Sequence, residues 1–147
     1  MRRETIRRWM MAAVLVAGLA ACHRAPDEQR VRDAIAAGAQ AAGMADAGDF
    51  GDIISDDFDG DEGRFDRHRL LGLLHMIRLR GEHVTVLMGP VSLERRGQRY
   101  VATFTVALSS GNSRLLPRHL GVYRVTSAWR LEDGDWRCYS ARWKRQL

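Results

Sequence analysis

The sequence predicts an α+β domain in which helices come first and an antiparallel sheet then packs against them. Three observations carry this. Between Asp27 and Arg80 apolar residues recur at helical spacing. From His83 onward the period changes to two. The chain closes in Trp129-Arg130-Leu131-Glu132-Asp133-Gly134-Asp135-Trp136-Arg137, two alternating runs joined at an Asp-Gly turn. The 147 residues, 46% hydrophobic and 28% charged, suit one globular domain and exclude a polytopic membrane protein, a collagen-like chain and a fully disordered one. Two cysteines exclude a disulfide scaffold.

Residues 1–21 stand outside that domain. Arg2, Arg3, Arg7 and Arg8 precede an unbroken apolar or small-residue run from Trp9 to Ala21. This run is shorter than the ~20 apolar residues a helix needs to span a membrane, and it has the build of a secretory signal. It ends in Leu19-Ala20-Ala21-Cys22, which resembles the lipobox of bacterial lipoproteins. The resemblance implies lipid attachment at Cys22, a tether over residues 22–26 and a domain over residues 27–147. His23, rather than an aspartate, follows the cysteine, which implies the outer membrane. A lipidated Cys22 leaves Cys138 without a disulfide partner, and Cys138 is expected as a small buried hydrophobe.

The formal charge of +5 falls to +2 once the leader is set aside, and its distribution is uneven. From Asp27 to Glu62 there are 11 acidic and 2 basic residues; from Gly63 onward there are 16 basic and 6 acidic. Opposite-sign halves are expected to pair within the domain or across a dimer, with anionic envelope components as the functional remainder. No zinc-finger spacing, phosphate loop or recognition helix points to nucleic acid.

Along the domain, Asp27 is placed as the cap of a helix running to about Met44, with Val31, Ile35, Ala39 and Ala42 on one face. Asp46 to Ile54 reads as a second, shorter helix and Ser55 to Gly63 as an acidic loop. Asp66 caps a third helix, with Leu70, Leu73, Leu74 and Ile77 as its buried stripe and Gly81 as its stop. His83 to Glu94 reads as a strand bent at Gly89-Pro90, followed by a turn over Arg95 to Gln98. Arg99 to Leu108, His119 to Leu131 and Trp136 to Trp143 are the remaining strands, with a loop from Ser109 to Arg118.

A two-residue turn at Asp133-Gly134 sets the last hairpin. Leu131 then faces Trp136, Trp129 faces Cys138 and Ser127 faces Ser140, on the side toward the helices. The other side holds Arg130 against Arg137, with Tyr139, Arg124 and Trp143 nearby. Like charges directly opposed need solvent, a carboxylate from elsewhere or an anionic partner. Arg124, Arg130 and Arg137 are therefore the candidate anion contacts.

Three helices, a bent strand and this tryptophan hairpin resemble the nuclear-transport-factor-2-like superfamily over roughly Asp27 to Trp143. The run Asp49 to Phe58 is similar to that family's segment before the third helix. The resemblance implies a cone-shaped fold, a curved antiparallel sheet wrapped around helices with an interior pocket, and dimerisation through the sheet. Ketosteroid isomerases, dehydratases, polyketide cyclases and binding modules without catalysis share this fold, so it does not by itself give the activity.

Catalysts of that family set an acid or histidine base in the cone, and the strands inferred here carry almost no acid. Without such a group in a dry pocket there is nothing to abstract a proton near neutrality. His75, His119, Tyr100 and Tyr123 are the remaining groups. A calcium loop read from Ser55 has acids at its third and fifth positions and glycine at its sixth. It fails at its first and eighth, and Asp66 at its twelfth is needed as a cap. The expected protein is a periplasm-facing lipoprotein that binds a small apolar molecule or an envelope partner without catalysis. Leu74, His75, Phe104, Tyr123, Trp129 and Trp136 are its pocket candidates, and no cofactor, metal or nucleic acid is expected. The alternative is an isomerase- or dehydratase-like enzyme with His75, or a carboxylate between Asp46 and Asp57, as base.

Overall fold

The first described helix, α1 (Asp27–Gly43), carries Val31, Ile35, Gly38 and Ala41 as one buried stripe. The structure is a computed structural model describing residues 25–110 and 120–147; the leader, Cys22 and His119 lie outside these residues. Pro26, not Asp27, occupies the cap position of α1. The Asp27 carboxylate is drawn instead to Arg30 and to the indole N–H of Trp136, at 3.1 and 3.2 Å.

The second helix, α2 (Ala47–Ile53), starts as expected, with Asp46 accepting from the Asp49 amide. It ends early, and the acidic segment expected as a loop is a strand, β1 (Ile54–Gly60). Ile54 and Phe58 point into the core while Asp56, Asp57 and Asp59 face out. This strand placement also removes the calcium-loop geometry considered for it. Gly60 is required by packing, because a Cβ there would meet the Phe58 ring at 2.9 Å, the Phe65 carbonyl at 3.0 Å and the Trp143 ring at 3.1 Å.

The short strand β2 (Phe65–Asp66) leads into α3 (Arg67–Leu79), where Asp66 accepts from the Arg69 amide at 2.8 Å. Leu74 and Ile77 are its buried residues, and Gly81 closes it at φ +63°. Arg67 donates to the carbonyls of Gly51 and Ile54, at 2.6 and 2.7 Å, and so ties α3 to the α2–β1 junction.

The expected bend at Gly89-Pro90 divides β3 (Thr85–Met88) from β4 (Ser92–Arg96). Both pair with β5 (Arg99–Ser109), which pairs with β6 (Gly121–Glu132), which pairs with β7 (Asp135–Arg145). The seven-stranded sheet has the order β2-β1-β7-β6-β5-β3, with β4 also on β5. It is mixed rather than wholly antiparallel, because β1 lies parallel to β7. The loop expected over Ser109 to Arg118 falls mostly outside the described residues.

The closing hairpin has the expected register near its turn: Leu131 opposes Trp136, Arg130 opposes Arg137 and Trp129 opposes Cys138. Beyond that, a bulge leaves Tyr139 unpaired and shifts the ladder by one. Ser127 therefore opposes Ala141 rather than Ser140, and Trp143 turns inward instead of joining the arginines.

The Arg130–Arg137 rung is neutralised by carboxylates. Asp57 of β1 lies 2.5 Å from Arg130 Nη2 and Glu132 lies 2.6 Å from Arg130 Nε. Glu132 also accepts from the buried Ser55 hydroxyl at 2.6 Å and sits 3.9 Å from Arg137. Burial works against the Glu132 charge, but the Ser55 hydroxyl and the Arg130 guanidinium outweigh it, leaving its pKa below the ordinary 4.5. The Asp57 carboxyl is held low chiefly by its hydrogen bond from Arg130. A depressed folded pKa contributes stability that is present above the unfolded value and lost as pH falls through the folded one. Urea unfolding between about pH 7 and pH 3 should therefore show stability falling below about pH 4.5. Glu132→Gln should cost about 1–3 kcal/mol at neutral pH and flatten that fall; an unchanged pH slope would remove Glu132 from this role.

Candidate functional site

The concave face of the sheet and the three helices enclose a cavity of about 330 Å³, at the small end of the range for ligand pockets. The β-strand period of two places Phe104, Val106 and Leu108 of β5, and Tyr123, Val125, Ser127 and Trp129 of β6, on the inner side. The helices supply Ala39, Ala42, Phe50, Leu70, Leu73 and Leu74. From β1 and β7 come Phe58, Cys138, Ala141 and Trp143, the last packed at 5.4 Å on Phe65. The bulge at Tyr139 brings Ala141 and Trp143 to this face.

The chemistry of this wall is limited. Among the described residues it holds no carboxylate, imidazole, amine or guanidinium. Its polar side-chain groups are the Tyr123 and Ser127 hydroxyls, the Cys138 thiol and the indole N–H groups of Trp129 and Trp143. Ser127 is occupied, accepting from the Trp129 indole N–H at 2.8 Å. Cys138 is buried as expected, its S–H directed to the Ser140 carbonyl at 3.3 Å. Burial pushes the Cys138 thiol up to about 12, so it is neither a thiolate nucleophile nor a base near neutral pH.

Of the pocket candidates, Leu74, Phe104, Tyr123 and Trp129 line the cavity. Trp136 does not. It packs edge-on against Tyr100 with ring centroids 5.2 Å apart, and the pair fills the hairpin end of the cone. His75 lies on the exposed side of α3, away from the lining, because the buried stripe runs through Leu74 and Ile77 instead. The carboxylates between Asp46 and Asp57 also stay outside: Asp46 caps α2, and Asp57 faces Arg130. Phe58 and Trp143 were not foreseen as lining residues, the one hidden in an acidic run and the other reoriented by the bulge.

The anion candidates sit on the convex face. Arg124 is exposed and opposes Lys144, while Arg130 and Arg137 form the rung already shared with Glu132 and Asp57. A second, polar cleft lies at the hairpin end of the molecule, with a volume of about 290 Å³. Arg95, Gln98, Arg99, Arg130, Leu131, Trp136 and Asp27 bound it. Arg95 and Arg99 were read as turn and strand residues only. Their convergence with Arg130 depends on the β4–β5–β6 register, which no local pattern reports.

No protein-family model matches the sequence, and no curated protein matches it. Solved structures do resemble it. A protein described as NTF2-like from Cytophaga hutchinsonii superposes with a TM-score of 0.69 at 12% identity, covering 83% of this chain and 100% of that one. An NTF2-like protein of unknown function from Pseudomonas putida gives 0.64 at 16% identity, over 82% and 87% of the two chains. A hexachlorocyclohexane dehydrochlorinase from Novosphingobium barchaimii gives 0.65 at 15% identity, over 82% and 87%. Likeness at such low identity speaks for architecture alone. The chain has the NTF2-like fold, a cone of three helices on a curved mixed sheet.

Proposed function

We propose that this chain is an exported, lipid-anchored binding module whose cone takes up a small apolar molecule without transforming it. The single observation that carries the reading is the wall of the cavity, apolar along nearly its whole extent and without a titratable carboxylate or imidazole among the described residues. Such a wall rewards burial of apolar surface by roughly 25 cal/mol per Å². Among the described residues it offers no carboxylate or imidazole placed to move a proton. The Tyr123 hydroxyl is the polar contact available to orient a ligand carrying one acceptor. The dehydrochlorinase shares the architecture, but the bases considered for such chemistry here, His75 and the carboxylates from Asp46 to Asp57, are not in the lining.

Anchoring rests on the sequence Leu19-Ala20-Ala21-Cys22 behind a basic, apolar leader. Among the described residues no helix is long and apolar enough to cross a membrane, so in this reading the lipid holds the domain to the periplasmic face of the outer membrane.

Binding is tested with the apolar fluorophore N-phenyl-1-naphthylamine, read by energy transfer from Trp129 and Trp143. Saturable one-to-one uptake is expected, weakened by about tenfold or more in Val125→Trp and in Ala42→Leu, both chosen to fill the cavity. Variants that keep their melting temperature and bind like the parent would contradict the reading. Anchoring is tested separately: Cys22→Ala should move the protein from the membrane fraction to the soluble periplasm, whereas continued membrane retention would assign the anchor to the leader itself.

A further inference from the structure

The sheet carries a row of arginines across four adjacent strands. Arg96 of β4 opposes Arg99 of β5, Arg99 opposes Arg130 of β6, and Arg130 opposes Arg137 of β7. Like charges in direct opposition are unfavourable, so each member needs compensation. Arg96 has Glu94 at 3.2 Å, and Arg130 and Arg137 share Glu132, with Asp57 added at Arg130. Arg99 differs. Its described contacts are the Tyr139 hydroxyl at 3.4 Å and the face of that ring at 5.2 Å, with no carboxylate in ion-pair range. Arg95 is in the same condition, bonded to the Gly97 carbonyl at 3.0 Å and lying 6.0 Å from the centre of the Tyr100 ring.

These two uncompensated cations, with Arg130, bound the cleft at the hairpin end of the cone. Arg95 lies opposite the inward-facing Tyr100, whereas Arg99 and Arg130 belong to the outer row, so the cleft sits where the two faces of the sheet meet. Leu131 and Trp136 give it an apolar floor, and Gln98 adds an amide at its rim. Asp27 also borders it, but that carboxylate is already held by Arg30 and by the Trp136 indole N–H.

We propose that this cleft binds a phosphate ester. A carboxylate has two oxygens and one charge, enough for one guanidinium fork. A phosphodiester likewise carries one charge on two non-bridging oxygens, but its tetrahedral centre directs them toward different guanidinium groups, so that Arg95 and Arg99 can share it. The position of the cleft indicates the source. Asp27 is the first residue of α1 and stands five residues after Cys22, which an extended chain spans in at most about 17 Å. The cleft is thus within tether length of the bilayer, and the ester it meets is the phosphodiester of a lipid headgroup. This assignment of source rests on lipidation at Cys22; phosphate binding by the cleft does not.

The test uses the full chain held in a neutral maltoside micelle, with the side-chain Nε–H resonances of the arginines followed by NMR. It is titrated with glycerol 3-phosphate, with dihexanoyl phosphatidylglycerol below its micelle concentration, and with dihexanoyl phosphatidylcholine as the zwitterionic control. Saturable shifts at Arg95, Arg99 and Arg130 are expected with phosphatidylglycerol. They should weaken about tenfold in the Arg95→Gln, Arg99→Gln double variant and less than about twofold in Arg124→Gln, which removes the same kind of charge from the convex face. Saturation by glycerol 3-phosphate alone supports the cleft and replaces the headgroup by a free phosphate monoester as its source. Absence of saturable binding by both phosphates overturns the proposal, as does an equal loss in Arg124→Gln, which would reduce the effect to net charge. Both exposed-site variants are checked by circular dichroism, and Arg99→Lys provides a variant that keeps the charge but loses the fork. Binding by Arg99→Lys at the parent level would also count against a guanidinium site.

Discussion

One like-charged rung ties the closing hairpin to a distant part of the chain through the carboxylates that neutralise it. Arg130 and Arg137 stand opposite one another on the closing hairpin, an arrangement that like-charge repulsion disfavours and nearby negative charge relieves. Glu132 supplies part of that charge from the hairpin itself, and Asp57 supplies the rest from a different part of the chain. Asp57 reaches Arg130 because the segment Ile54–Gly60 runs parallel to the outer strand of the hairpin as β1. The same strand then delivers Ile54 and Phe58 to the core on its other side. The buried Ser55 hydroxyl donates to Glu132 and so links β1 to the end of β6. Thus one strand carries both a surface ion pair and part of one wall of the cone.

Much of this was legible in the residues. The helix cap at Asp66, the stop at Gly81, the break at Gly89-Pro90 and the Asp-Gly hairpin are local signals, and each stands where its chemistry puts it. Asp27 was misread because a capping residue and a first-turn acid look alike in sequence. The difference is made by Trp136, a partner 109 residues away. The strand β1 was missed for a related reason: three outward aspartates hide an alternation that becomes favourable only beside the arginines of β6 and β7. The opposed arginines did raise the need for a carboxylate from elsewhere, without saying which one.

The candidate site was half legible. Residues before the bulge follow simple alternation, so Phe104, Tyr123 and Trp129 fall on the cavity as expected. Past Tyr139 the parity reverses, which brings Trp143 into the wall. No composition rule locates a one-residue bulge. Trp136 was assigned to the correct face, but the Tyr100 ring against it turns a lining residue into the plug of the closed end. That plug separates two environments. An apolar cavity occupies the part of the cone bounded by Leu108 and Leu120, while a basic cleft borders the first turn of α1. Leu108 stands nine residues after Arg99 along β5, a distance of about 30 Å. The molecule therefore presents a charged end near the start of α1 and an apolar chamber toward the opposite end.

The most direct test of the central claim is native mass spectrometry of the full chain, purified in a mild detergent from the cells that make it. The account predicts a small apolar molecule bound at one per chain and recovered chemically unchanged after incubation. A chain with an empty cone, or one that releases a converted product, would contradict it.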